Sequence, residues 1–170
     1  MKILASLILA IATLVIVYAQ QQPKKDMSDT AHEQMNKRGD HLMGFDHTKT
    51  THHFLLQEVG GSIEVTADKA DDVESSKQIR MHLHHIAKMF AAGDFNTPML
   101  IHEQTPPGVP VMQELKGEIK YDFEEIDRGA AVRITTKNPE ALKAIHDFLR
   151  FQIKEHKTGD PLVIGKQAAD

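Results

Sequence analysis

TTHHFLLQEVGGSIEVTA, residues 50–67, is two runs of β-branched and aliphatic residues about a pair of glycines. Residues 50–59 and 62–67 predict the strands of a hairpin that reverses at Gly60 and Gly61. EIKYDFEEIDRGAAVRITT, residues 118–136, repeats the arrangement with Asp127, Arg128 and Gly129 at the reversal. Each hairpin leads into a long amphipathic run. The first begins at Asp71 or Asp72, whose carboxylates suit an N-cap, carries Glu74 in its first turn and ends at Gly93. The second begins at Asn138-Pro139, a cap followed by proline at the first helical position, and runs to about residue 157 before Gly159.

The two units superpose as sequence. Shifting the first helix by 66 positions matches Glu74 with Glu140, Ile79 with Ile145, Leu83 with Leu149 and Gly93-Asp94 with Gly159-Asp160. In the hairpins Ile63 and Val65 fall on Val132 and Ile134, a shift of 69. The pattern predicts an α+β fold, a ββα-ββα pseudo-repeat with a four-stranded, mostly antiparallel sheet and two long helices on one face. The half-repeats are expected at about 50–94 and 118–160, within one domain over 50–165. The proline-rich stretch 94–115 between them reads as an ordered connection with a short helical turn after Pro110.

Lys2, an apolar run over 3–17 and a small residue at Ala19 read as a signal peptide over about residues 1–20, which predicts export to the periplasm or beyond and no membrane insertion after cleavage, with an uncleaved membrane anchor as the rival reading of the same run. Residues 21–49 are polar and read as a flexible arm rich in histidine and methionine, with one short helix near 28–38 ended by Gly39. The net charge of −4 and the absence of a basic run argue against nucleic acid as a partner.

Eleven histidines and eight methionines accompany no cysteine, so a metal site here must use imidazole, thioether, carboxylate or backbone. In QIRMHLHHIAKMF, residues 78–90, the apolar residues Ile79, Leu83, Ile86 and Phe90 share a helix face, and Gln78, His82, His85 and Met89 form a stripe on its flank. His82 and His85 lie a turn apart, so one ion can engage both. His84 reads as solvent-facing. On the first strand His52 and His53 point to opposite faces, and His52 shares its face with Phe54 and Leu56. His102 in the proline-rich connection and His146 on the apolar face of the second helix are further candidates, with His156 on or beside that face. His47 and Met43 in the arm suit capture. A core-side His146 is also the commoner hydrogen-bonded structural residue. The second helix is apolar around much of its circumference, which predicts cover from the sheet and from a loop, the arm or a second copy of the chain.

The expected function is transition-metal binding, copper first and zinc or nickel next, with buffering or transfer by neutral imidazoles that release below about pH 6. A haem-binding or dimerising envelope module is the alternative, and a metal-dependent enzyme the third reading. Against an enzyme, His102-Glu103 lacks the second histidine of a zinc-protease helix, and no nucleophile elbow, phosphate loop or dinucleotide fingerprint occurs. Glu124 and Glu125 face apart on a strand and make a poor acid/base pair.

THHFLL, IRMHLHHIAKMFAAGDF, IHEQTPPGVP and AIHDFLRFQIKEHKTGDP together resemble a family of exported, histidine-rich bacterial proteins. The resemblance implies a bacterial envelope protein and brings no established reaction or ligand.

Overall fold

The computed structural model describes residues 27–164. The run over 3–17 and the rest of the expected signal peptide lie outside them. The chain divides into two units, Met1–Ala31 and His32–Asp170. Of the first, only the opening turn of helix α1 (Met27–Met43) is described, and every other element belongs to the second.

The fold is α+β. Strands β1 (Thr50–Gln57) and β2 (Gly60–Ala67) lead into helix α2 (Val73–Ala92). Short helices α3 (Asn96–His102) and α4 (Val109–Glu114) connect to β3 (Ile119–Ile126), β4 (Gly129–Thr136) and helix α5 (Pro139–His156). The sheet is antiparallel throughout, in the order β1-β2-β4-β3. Its centre is a pseudo-twofold: β2 pairs with β4 so that Gly60 faces Thr135 and Thr66 faces Gly129, each contact being the other shifted by 69. The Thr136 N–H donates to Val59 O and the Ala67 N–H to Arg128 O, both at 2.9 Å, which is again one interaction made twice.

The reversals fall at Glu58-Val59 and Asp127-Arg128, and Gly60 and Gly61 lie within β2 rather than in the turn. The glycines answer to strand packing. A β-carbon at Gly60 would meet the Ile134 carbonyl oxygen, and one at Gly129 the Val65 carbonyl oxygen, so both inner strands begin where the backbones approach too closely for a side chain.

Asp72 caps α2 by accepting from the Ser75 N–H, and Gly93, at φ 82°, ends it in the left-handed region that glycine adopts freely. Asn138 caps α5 through the N–H groups of Glu140 and Ala141. Its last turn closes at Lys157 (φ 52°), ahead of Gly159. Phe54, Ile63, Val65, Val132 and Ile134 from the sheet meet Ile79, Leu83, Ile86 and Phe90 from α2 and Ile145, Phe148 and Leu149 from α5 in one core.

Two connections differ from expectation. The described part of the supposed arm, 27–49, is helical: α1 passes through Gly39, ends at Gly44 (φ 81°), and a 3-10 turn covers His47–Lys49. Met35 and Phe45 are buried, and Arg38 Nε donates to Ile101 O at 2.9 Å, so a few apolar anchors hold a polar stretch in place. The linker contains α3 as well as the turn after Pro110. It supplies the second cover of α5: Phe95 packs against Phe148, His102 against Phe151, and Gly108 lies against the Ala144 carbonyl.

The far face of the sheet is polar, with Arg133 held between Glu64 (3.1 Å) and Glu124 (2.9 Å). At the rim of β1, Asp160 accepts from the Phe54 N–H at 2.9 Å and pairs with His53 Nδ1 at 2.8 Å. Among the described residues no helix is long and apolar enough to cross a membrane.

Candidate functional site: a histidine-lined cavity

Between the first half of the sheet and helices α2, α3 and α5 lies a cavity of about 60 Å³, enough for several water-sized bodies. Its walls are mostly apolar, with Phe54, Leu83, Ile86 and Phe148 among them. Four histidines, Gln152 and Met43 interrupt that lining. His52 comes from β1, His82 from α2, His102 from the end of α3 and His156 from the end of α5.

The rings touch. His156 lies nearly parallel to His52, at 5.9 Å between ring centres and 9° between planes, and perpendicular to His102 at 5.1 Å. Phe45 sets its edge against His82 at 5.6 Å and packs against His52 at 5.8 Å. Burial, reinforced by neighbouring imidazoles, pushes the pKa values of His52 and His82 down to about 4. Burial holds His156 well below its ordinary value and lowers His102. All four rings are therefore uncharged at neutral pH, with lone pairs free of protons.

One tautomer follows from geometry. His102 Nε2 lies 3.0 Å from Gln152 Oε1, a carbonyl oxygen that can only accept, so Nε2 carries the proton and Nδ1 keeps its lone pair. Among the described residues, His102 Nδ1, His52 Nε2 and Gln152 Nε2 are buried and find no hydrogen-bond partner. Native interiors leave few such atoms, and each needs an explanation.

The sequence-derived ligand set is split. The structure brings His52, His82 and His102 to one cavity. His85 is exposed: at about 100° per residue it sits roughly 60° farther round α2 from the core than His82, so the expected chelate of these two is not formed. His53, on the other face of β1, is engaged by Asp160. His146 is buried with Nε2 2.9 Å from Gln57 O and 3.0 Å from Gly60 O, a donor that ties α5 to the first hairpin. Met89 packs against the core, and its sulfur lies 3.9 Å from the Thr97 hydroxyl. His156 and Gln152 complete the cavity. The signal for His156 was its position seven residues after Leu149, on the buried face of α5, while Gln152 gave none beyond burial in a helix.

His47 lies in a second, polar cleft of about 280 Å³ with His32, Asn36 and Thr158. Met43, His52 and His156 line this cleft as well as the cavity. Among the described residues, one group of three brings a ligating atom from each within 4.8 Å of the others, namely Asp40, Asp46 and His47. The cavity histidines are not drawn that close, so closing on one ion requires their rings to turn inward.

The pseudo-twofold shows how the cavity arises. Shifted by 69 in the strands and 66 in the helices, His52, His82 and His156 fall on Tyr121, Phe148 and Phe90. There Phe90 meets Tyr121 at 5.8 Å and Phe148 at 5.9 Å, and Phe95 stacks on Phe90 at 4.3 Å. One half of the molecule fills the position with aromatic rings; the other lines it with imidazoles.

Comparison with family models, curated proteins and solved structures returned no match.

Proposed function

We propose that the protein binds a transition-metal ion in this cavity, copper first and zinc or nickel next, through His52, His102 and His156, with His82 and Met43 at its margin. The observation that carries the reading is the set of uncharged imidazoles in a mostly apolar pocket, two of them with a buried nitrogen that has no partner among the described residues. Neutral organic ligands rarely need four adjacent imidazoles, whereas uncharged imidazoles around one pocket offer a cation their lone pairs once the rings turn inward. Gln152 plays the orienting part, holding the His102 N–H so that Nδ1 points its lone pair elsewhere. Among the described residues that line the cavity there is no carboxylate. Burial also moves proton competition from the pH near 6 expected of free imidazole towards about 4. Export to the periplasm belongs to the same reading and rests on the apolar run at 3–17 and on the cysteine-free His/Met donor set.

The test is calorimetric titration with copper(I), copper(II) and zinc, comparing wild type with His52→Phe and His102→Phe. Loss of at least tenfold in affinity in both variants is expected, and unchanged affinity in both overturns the reading.

The apolar walls favour a second reading, a small uncharged organic molecule hydrogen-bonded by His52 Nε2 and Gln152 Nε2. Saturable binding of indole with no response to metals would establish it. A tetrapyrrole exceeds the space without displacement of the walls.

A further inference from the structure

We propose that the outer cleft is a second, weaker metal station through which the ion reaches the cavity, with His47 Nε2 as its first ligand and the stacked pair His52 and His156 as the shared wall between the two. This rests on the reading of the cavity as a metal site.

Continuity is the first support. Met43, His52 and His156 border both spaces, so an ion bound on the outer side of these residues is one ring rotation from the inner side. Preorganisation at His47 is the second. Its Nδ1 lies 2.9 Å from each oxygen of Asp40, and Asp40 Oδ1 also accepts the His47 backbone N–H at 2.8 Å. A carboxylate accepts only, so Nδ1 carries the proton and Nε2 is left as the donor, in the carboxylate–histidine arrangement that orients metal ligands. Donor placement is the third. His32, Asn36 and Met43 are spaced four and seven residues apart on α1, which puts them on one helix face over the cleft.

The two stations differ as capture and storage sites should. The outer one is more polar, and beside it Asp40 and Asp46 bring ligating atoms within 4.8 Å of His47, features that draw a cation in and bind it loosely. The inner one is lined mostly by apolar side chains.

Cobalt(II) separates the stations, because six-coordinate and four-coordinate cobalt differ strongly in visible absorption. In stopped-flow mixing of cobalt(II) with the full chain, a weak-band phase is expected to precede an intense one. His32→Gln/His47→Gln is expected to lose the first phase and slow the second about tenfold, leaving the final intense band unchanged. Asp40→Asn, which frees the His47 ring, is expected to slow loading without touching either cavity residue. Far-UV circular dichroism checks that each variant is folded. An intense band that appears at the wild-type rate in both variants overturns the outer station while the cavity site stands. Wild type that develops no cobalt band overturns both.

Discussion

His52 and Tyr121 occupy the same place in the two halves of the sheet: His52 faces Val65 across β1 and β2, and Tyr121 faces Ile134 across β3 and β4, each residue shifted by 69 from its counterpart. The same fold therefore accepts an aromatic ring at this position. His52→Phe is expected to keep the fold, to remove a buried nitrogen that has no partner, and to raise stability by about 1 kcal/mol. Urea unfolding measures it, alongside loss of metal binding. A destabilised variant would show that His52 serves the fold.

Acid should weaken the metal-free protein well before its carboxylates titrate. His52 and His82 have pKa values near 4 when folded against 6.5 when unfolded, so between these values the unfolded chain binds protons that the folded chain refuses. Their contribution is complete above pH 6.5 and is lost as the pH falls towards 4. At about 1.4 kcal/mol per pKa unit, the loss is on the order of a few kcal/mol. Urea midpoints in the presence of a chelator should fall steadily from pH 7 to 4.5. A flat profile would mean that these rings are hydrated.

His146 and His85 separate structure from binding. His146→Ala leaves the Gln57 and Gly60 carbonyls without their donor and is expected to cost about 1–3 kcal/mol with metal affinity unchanged. His85→Ala, at an exposed site, is expected to change neither quantity by more than about 0.5 kcal/mol. Thermal melts and titrations of both proteins decide the matter.

Gly60→Ala and Gly129→Ala should behave as a pair. Each places a β-carbon against the carbonyl of the neighbouring inner strand, so each is expected to cost more than about 2 kcal/mol, by similar amounts. A large difference between the two would mean that the halves relax differently.

The fold was legible because its determinants are local. Alternation in the strands, Asp72 and Asn138 at the helix starts, and the offset of 69 survive in the structure, while the offset of 66 holds at the helix starts and cores but not at the ends, where Lys157 rather than Gly159 caps α5. The misplaced first turn had a physical cause: Gly60 and Gly61 read as turn residues because glycine frees the backbone, whereas here they admit a neighbouring strand. The cavity was legible only in part. Helical angle separates His82 from His85 once the core direction is known, and alternation selects His52 over His53. Bringing His102 and His156 to the same place depends on the path of the linker, which no periodicity encodes. The burial of Met35 and Phe45 in an otherwise polar stretch hid the folded part of 27–49 for the same reason.

The carboxylate of Asp160 occupies an amide on β1 that a strand from another molecule would otherwise find vacant. The opposite edge, β3, protects itself with the charges of Lys120, Asp122 and Glu124. A chain shortened by proteolysis before residue 160 thus loses a plug rather than a tail. Its expected fate is slow polymerisation by strand addition, visible as rising light scatter while helix content is retained.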